Sequence, residues 1–255
     1  MEVSVAFGGG QDVSGEPGTI SLGDEERVKE VLVNTVLGLW DIVNNLTQLR
    51  PSRRDRYRVT IFGSARAEEG TFPYDETRRV ARALAELGCD IVTGGGPGLM
   101  RAANQGAADA GIELPGETLG IRVDLPFEQE ANAFVTQVYQ HRTFFTRLHH
   151  FVLASDAFVI APGGIGTVLE AMMVWQLLQV GHMKDTPLVF VGRMWRELVQ
   201  WAHAHMLDER LATASPRDLA IPLCVASGAE AIEAIRADHV RWQRAQGSAV
   251  RSRAG

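Results

Sequence analysis

Cysteine and lysine are scarce in this sequence. Only Cys89 and Cys224 occur among 255 residues, which excludes a disulfide framework and a cysteine-rich zinc site. Both cysteines lie in or beside apolar segments, and we expect them to be inert core residues. All but two of the 25 basic residues are arginines, so a mechanism based on a lysine Schiff base has only Lys29 and Lys184 available.

The sequence also lacks a long hydrophobic run and an excess of basic charge. No stretch reaches the roughly 18 apolar residues that a membrane span requires. The first residues, MEVSVAFGGGQ, are too glycine-rich and too acidic for a signal peptide. The net charge is −6, which makes duplex nucleic acid a poor partner. These absences predict a soluble, cytoplasmic protein that has neither a membrane nor a nucleic acid as its partner.

The composition is that of a globular protein, with 45% hydrophobic and 22% charged residues. Within it, residues 24–49 predict a helix whose apolar side chains recur every three or four positions. Such a stripe needs a covering surface, either the main domain or a second subunit. We predict a flexible tail over 1–23, a helical extension with its linker over 24–56, a main domain over 57–244 and a second flexible tail over 245–255.

Short apolar runs alternate with amphipathic helical patterns throughout the main domain. This alternation predicts an α/β fold with a Rossmann-like, doubly wound and mostly parallel sheet that carries helices on both faces. Sheets of this kind bind ligands beyond the carboxyl ends of their strands. The predicted strands are 58–62, 90–93, 118–123, 134–138, 157–161, 187–191 and 221–225. The predicted helices are 74–87, 99–110, 142–154, 167–180, 194–207 and 229–244.

Three glycine-rich loops follow predicted strands. They are the first loop, 63–66 (GSAR), the second loop, 94–98 (GGGPG), and the third loop, 162–167 (PGGIGT). Glycine lets the backbone approach a ligand closely, and the start of the following helix offers N–H groups to an anion. Two such helix starts at one edge of the sheet favour a phosphate site, although turns between strands and helices commonly use glycine anyway. Because the Walker and dinucleotide motifs are both absent, a mononucleotide or sugar phosphate is favoured over NAD.

The segment that begins at Thr167 allows two interpretations. Thr167-Val168-Leu169-Glu170 matches the S/T-x-x-E capping box, in which Thr167 caps a helix and Glu170 folds back onto the cap. Alternatively, the Glu170 carboxylate lies at the mouth of the phosphate site. The two interpretations are compatible with each other.

Two of these motifs resemble those of a known family. Residues 162–170 (PGGIGTVLE) fit PGGxGTxxE, and residues 94–100 (GGGPGLM) are similar to a companion loop of the GGGxxGxM type, with one residue fewer between the glycines. Both are hallmarks of the LOG (Lonely Guy) family, the cytokinin riboside 5′-monophosphate phosphoribohydrolases, which are also described as lysine decarboxylase-like. The resemblance covers residues 57–225, and residues 144–147 (FFTR) are similar to the longer bacterial branch.

The resemblance implies a site and a reaction. Arg147 and Glu170 would be the catalytic pair, and no metal or cofactor is expected. Glu170 would stabilise positive charge on the ribose while Arg147 holds ribose or phosphate oxygens. Asp124 and Glu128 are candidates for the base that activates water. The residues expected to bind the substrate and its phosphate are Gly63, Ser64, Gly95, Gly96, Gly98, Met100, Gly163, Gly164, Gly166 and Thr167.

The implied activity is hydrolysis of the N-glycosidic bond of a purine 5′-monophosphate, a cytokinin riboside or adenosine nucleotide, to the free base and ribose 5-phosphate. Leu148 and Arg101 depart from the family pattern, which bears on substrate choice rather than on the chemistry. A non-hydrolytic nucleotide or molybdenum-cofactor carrier of the same fold is the alternative. Pyridoxal-dependent decarboxylation is disfavoured because neither lysine lies near the glycine loops. A homo-oligomer, a dimer or larger, is also expected, since predicted helix 167–180 is apolar nearly all round.

Overall fold

A computed structural model describes residues 25–31, 33–34, 55–111, 116–123, 130–207 and 213–251, the last five without their side chains. The chain divides into two units, Met1–Thr47 and Gln48–Gly255. The described residues of the first unit are helical, as predicted for that part of 24–49. The rest of that helix, the predicted tail over 1–23, and Asp124 and Glu128 lie outside the described residues.

The second unit is built on a seven-stranded parallel sheet. Its strands are β1 (Arg58–Phe62), β2 (Asp90–Thr93), β3 (Thr118–Val123), β4 (Gln137–His141), β5 (Ala157–Ile160), β6 (Leu188–Val191) and β7 (Leu223–Val225). The order across the sheet is β4-β3-β2-β1-β5-β6-β7, and every neighbouring pair is parallel. The chain therefore reverses direction across the sheet between β1 and β5, which is where open α/β sheets bind ligands.

Helices cover both faces of the sheet, which confirms the predicted fold class. They are α1 (Phe72–Glu86), α2 (Leu99–Ala108), α3 (Phe144–Ala154), α4 (Ile165–Gln179), α5 (Arg193–Met206), α6 (Pro216–Leu219) and α7 (Gly228–Arg251). Because successive side chains of a strand point to opposite faces, Ile61 of β1 packs in a core with α1, α2 and α7, whereas Phe62 packs in a core with α3, α4 and α5. None of the helices in the described part of the chain has both the length and the apolar character to cross a bilayer.

Helices α1 and α2 pack closely through the second half of α2. Gly106 of α2 faces the backbone of Arg78 on α1, and a Cβ atom at position 106 would overlap the Arg78 carbonyl oxygen. The Tyr74 hydroxyl donates to Oε1 of Gln105 at 2.9 Å, and Arg78 pairs with Asp109 at 2.6 Å. The helix that follows the second glycine loop is thereby held against α1.

Two predicted elements lie elsewhere along the chain. The strand predicted over 134–138 is wrong in position, because β4 runs from Gln137 to His141. β4 is an edge strand with mostly exposed side chains, so apolar residues do not mark it. The apolar Phe134 and Val135 instead follow a turn in which the Phe134 N–H donates to Oδ1 of Asn132 at 3.2 Å.

The predicted capping box at Thr167 is also wrong. Helix α4 begins two residues earlier, at Ile165, with Gly164 as its N-cap and no side-chain cap. Glu170 is therefore a full turn inside the helix, where its carboxylate is free to pair elsewhere. A capping box does occur at the short helix α6, which the sequence did not predict, between Ser215 and Asp218.

The last helix continues beyond its predicted end. Helix α7 reaches Arg251 rather than stopping at residue 244. Residues 245–251, for which we expected a flexible tail, are thus helical, and residues 252–255 lie outside the described residues.

Candidate active site

The three glycine loops meet at the carboxyl edge of the sheet. The Ser64 N–H in the first loop donates to the carbonyl of Pro162 in the third loop at 3.1 Å. The Leu99 N–H, directly after the second loop, donates to the carbonyl of Ser64 at 2.8 Å. The first loop is therefore bonded to both of the others, and the residues predicted to bind phosphate lie on connected backbone.

Two positions of the second loop require glycine. Gly95 and Gly98 have φ angles of 69° and 64°, in the left-handed region that residues with a side chain rarely adopt. At Gly98 a Cβ atom would also overlap the carbonyl of Ser64, and at Gly95 it would lie 3.1 Å from Cα of Gly120. The absence of side chains lets this loop lie directly on the first loop and on β3.

The start of α4 is open on its ligand side. A Cβ atom added at Gly164 or Gly166 would meet no described atom within 4 Å, whereas Gly163 lies against the side chain of Thr167. The first N–H groups of a helix have no partner inside that helix. The third loop therefore offers N–H groups and empty space together, which suits a phosphate.

Arg147 and Glu170, predicted as a pair from the motifs, lie side by side. Nη1 of Arg147 on α3 is 3.3 Å from Oε1 of Glu170 on α4. Each residue is only 9% exposed. Twenty-three positions apart in sequence, they are brought together because α3 and α4 pack on the same face of the sheet.

Arg147 is held by contacts that the sequence does not reveal. Its Nε donates to the carbonyl of Ile121 on β3 at 2.9 Å, and its guanidinium carbon lies 5.2 Å from the centre of the Phe151 ring. At Gly94 a Cβ atom would overlap Nη2 of Arg147. Gly94 was named in the second loop but not among the predicted site residues, and its contribution is to leave room for this guanidinium.

Met100 lies over the second loop, as the motif suggested. A Cβ atom added at Gly94 would lie 2.6 Å from the Sδ atom of Met100, and one added at Gly96 would lie 2.8 Å from its Cε atom. The neighbouring Arg101, which departs from the family pattern, reaches outward. It pairs with Glu69 at 3.6 Å and lies 5.8 Å from the ring centre of Phe134.

Burial changes the acidity of Glu170. It raises the pKa of this carboxyl from 4.5 to about 7, and the opposing effect of the Arg147 cation is the smaller of the two. Less of this carboxyl is therefore ionised at neutral pH than of an exposed glutamate. A buried carboxyl with a strongly altered pKa, beside a cation and next to loops suited to an anion, is typical of an active site.

A histidine pair lies next to Arg147 and was not predicted. Nε2 of His141, at the end of β4, is 2.9 Å from Nδ1 of His150, which follows Arg147 by one turn of α3. Burial, together with the Arg147 cation, lowers the pKa of His141. The only signal in the sequence was that His150 shares the Arg147 side of α3.

Other candidate groups lie away from this edge or are inert. Lys184 precedes β6 and so lies at the amino edge of the sheet, opposite the glycine loops. Cys89 is fully buried, which raises the pKa of its thiol to about 12, as expected of a core residue. Within the described ranges, no three His, Cys, Asp or Glu side chains are grouped to hold a metal ion.

Comparison of the sequence with known families shows which family the chain belongs to. The sequence model of the family described as "Possible lysine decarboxylase" matches residues 100–235, and the chain belongs to this family, which includes the LOG proteins. Cytokinin riboside 5′-monophosphate phosphoribohydrolase LOG2 of Arabidopsis thaliana is 26% identical over 166 residues, 64% of this chain and 76% of that protein. The LOG enzyme of Oryza sativa subsp. japonica is 30% identical over 143 residues, 54% of this chain and 57% of that protein.

Solved structures share the fold. The molybdenum cofactor binding protein of Rippkaea orientalis matches with a TM-score of 0.53 and 20% identity, over 73% of this chain and 98% of that one. A molybdenum cofactor carrier protein of Chlamydomonas reinhardtii matches with a TM-score of 0.52 and 22% identity, over 73% and 99%. At such identities the likeness concerns the fold alone.

Proposed function

We propose that this protein hydrolyses the N-glycosidic bond of a purine nucleoside 5′-monophosphate and releases the free base and ribose 5-phosphate. The observation that carries the proposal is the buried Arg147–Glu170 pair, 3.3 Å apart beside three connected glycine loops. The named activity of the Arabidopsis and rice relatives supports it.

In this proposal the loops hold the phosphate, and the buried pair acts on the ribose. Cleavage of the bond to the base leaves positive charge on the ribose ring, and an ionised Glu170 stabilises that charge. Arg147 is always cationic, so it can bind ribose or phosphate oxygens and also favours the ionised form of Glu170. Gly63, Ser64, Gly95, Gly96, Gly98, Gly163, Gly164, Gly166 and Thr167 form the proposed phosphate site.

Two other activities fit the contacts less well. Decarboxylation through a lysine Schiff base would need a lysine at the glycine loops, and Lys184 is at the opposite edge of the sheet. A molybdenum-cofactor carrier would use the same fold and loops, but it has no evident use for a buried carboxyl whose pKa is near 7.

A panel of nucleoside monophosphates, assayed for release of the free base, tests the proposal. We expect at least one purine monophosphate to be cleaved, with ribose 5-phosphate formed in equal amount. Glu170→Gln should abolish this release, and Glu197→Gln, at an exposed position on α5, should not. Nucleotide binding without any base release would favour a carrier instead.

We further propose that the protein acts as a homo-oligomer. Ile165 and Leu169 lie one turn apart on α4 and are 87% and 49% exposed, and Phe145 at the start of α3 is 79% exposed. Large apolar side chains exposed on one helix face, as Ile165 and Leu169 are, are typical of an interaction surface. A second copy of the chain would cover them beside the proposed site.

A further inference from the structure

Asn132 binds the second glycine loop at two successive carbonyl groups. This residue lies between β3 and β4, far from the loop in sequence. Its backbone N–H donates to the carbonyl of Gly95 at 2.9 Å, and its side-chain Nδ2 donates to the carbonyl of Gly96 at 3.0 Å. One residue thus fixes the direction of two neighbouring peptide groups in a segment that glycine leaves conformationally free.

The orientation of the Asn132 amide follows from its other contacts. Its Oδ1 accepts the N–H of Phe134 at 3.2 Å, so Nδ2 is the end that faces Gly96. The same Nδ2 also donates to Oδ1 of Asn104 at 3.0 Å. An amide nitrogen has two hydrogens, and both are used in these two bonds.

The remaining bonds of the network have a fixed direction as well. Because Oδ1 of Asn104 accepts from Asn132, the Thr93 hydroxyl, 2.8 Å away, must donate to it. The lone pairs of Thr93 Oγ1 then accept the N–H of Gly95 at 2.9 Å. The N–H of Gly95 and the carbonyls of Gly95 and Gly96 are therefore all fixed by side chains or backbone outside the loop.

Burial strengthens this network. Thr93 and Asn104 are fully buried, where hydrogen bonds are little weakened by water. Within the described residues, Nδ2 of Asn104 has no hydrogen-bond partner. A buried polar atom without a partner is costly. The oxygen end of Asn104 is the part of its side chain that takes part in the network, since it accepts both bonds.

We propose that Asn132 is a positioning residue for phosphate binding, acting with Asn104 and Thr93 to hold the Gly95 and Gly96 carbonyl oxygens away from the anion. This inference rests on the proposed function, because it assumes that the second loop contacts a phosphate. A carbonyl oxygen carries partial negative charge and repels a phosphate, whereas N–H groups attract it. Without Asn132, the two glycine peptides could turn these carbonyls toward the ligand.

Binding of ribose 5-phosphate, measured by calorimetry on the full chain, tests the proposal. Asn132→Ala should raise the Kd at least about tenfold and raise the KM for a cleaved nucleotide similarly, with kcat changed by less than about threefold. Thr93 supplies a matched pair of variants without any change of charge. Thr93→Val removes the hydroxyl and should act in the same direction, whereas Thr93→Ser keeps it and should bind as the wild type does.

The outcomes separate this proposal from the proposed function. If the wild type binds ribose 5-phosphate and the Asn132→Ala and Thr93→Val variants bind it equally well, the positioning role is overturned and the hydrolase proposal stands. If the wild type binds but cleaves no nucleotide, the hydrolase proposal fails, and a raised Kd in the variants still supports positioning. A wild type that binds no phosphate ligand overturns both. If neither variant folds, as judged by thermal melting, the network is structural and the positioning role is overturned.

Discussion

Glu170→Gln is expected to lose most of the turnover and, as the pH rises, to gain stability relative to the wild type. The substitution keeps the shape of the side chain and an oxygen that can still accept from Arg147, but it removes the titrating carboxyl. It therefore separates the chemical role of the charge from its effect on folding.

The pKa of Glu170 sets the size of the stability effect. Burial raises this pKa from 4.5 to about 7, so ionising Glu170 costs about 3 kcal/mol more in the folded protein than in the unfolded chain. Since the folded-state pKa is the raised one, the folded state binds more protons. The contribution of Glu170 to the free energy of unfolding is therefore fully present below pH 4.5 and is lost as the pH rises toward and through 7.

The variant has no such dependence, because glutamine does not titrate. The free energy of unfolding of the wild type minus that of the variant should thus fall by about 3 kcal/mol between pH 4 and pH 8. Any effect of leaving Arg147 without a carboxylate is nearly constant over this range and shifts the whole curve without changing its slope. Urea unfolding at several pH values measures the difference.

The activity of Glu170→Gln should fall, although its stability relative to the wild type rises with pH. Removing a preorganised charge that stabilises the transition state typically lowers kcat by about 100- to 1000-fold. In the wild type, kcat/KM should rise with pH through about 7 as Glu170 ionises. Glu197→Gln, an exposed change on α5, is the control and should alter neither property. Parallel stability curves for wild type and Glu170→Gln, or near-native kcat in the variant, would refute the reasoning.

Four further results are expected. Adenosine should be a far poorer substrate than AMP in base-release assays, since a nucleoside leaves the glycine loops empty; comparable kcat/KM values would contradict this. Gly94→Ala should lower kcat/KM by on the order of tenfold or more, because its Cβ would displace the Arg147 guanidinium, whereas Glu197→Gln, at an exposed position on α5, should not. Arg147→Gln should raise the pKa of Glu170, as followed by carboxyl ¹³C NMR, because the cation that lowers it is gone. Light scattering should give a mass well above 27.8 kDa, and deletion of residues 1–49 should leave it oligomeric if α3 and α4 form the interface.

The sequence predicted the sheet best where its strands are buried. β1 and β3 have the predicted bounds, because nearly all of their residues are buried and most of them are apolar. The side chains of the edge strand β4 are mostly exposed and need not be apolar, so the apolar pattern placed this strand three residues too early. The start of α4 was predicted wrongly for a different reason. Gly164 and Gly166 carry no pattern at all, so the capping motif at Thr167 was the only visible signal.

The site residues likewise fall into two groups, those that a local motif in the sequence predicts and those whose contacts arise only from tertiary packing. The glycine loops follow from motifs that are each contained within one strand–loop–helix segment. The family resemblance implied Arg147 and Glu170, but their contact depends on the packing of α3 against α4. The contacts of Asn132 with Asn104, and of His141 with His150, join separate elements at spacings that match no helix or strand period. Only tertiary packing brings these side chains together, α2 against the segment between β3 and β4 in the first case and β4 against α3 in the second.

Burial of the Arg147–Glu170 pair has a consequence for ionic strength. Salt screens charges that face water, with a Debye length of about 10 Å at 0.1 M, but it screens a buried pair much less. The first N–H groups of α4 face open space beside Gly164 and Gly166, so capture of a phosphate there is exposed to screening. Added salt should therefore weaken substrate capture and raise KM, while kcat, which depends on the two buried side chains, stays nearly constant. The same molecule would bind its substrate in a salt-sensitive step and cleave it in a salt-insensitive one.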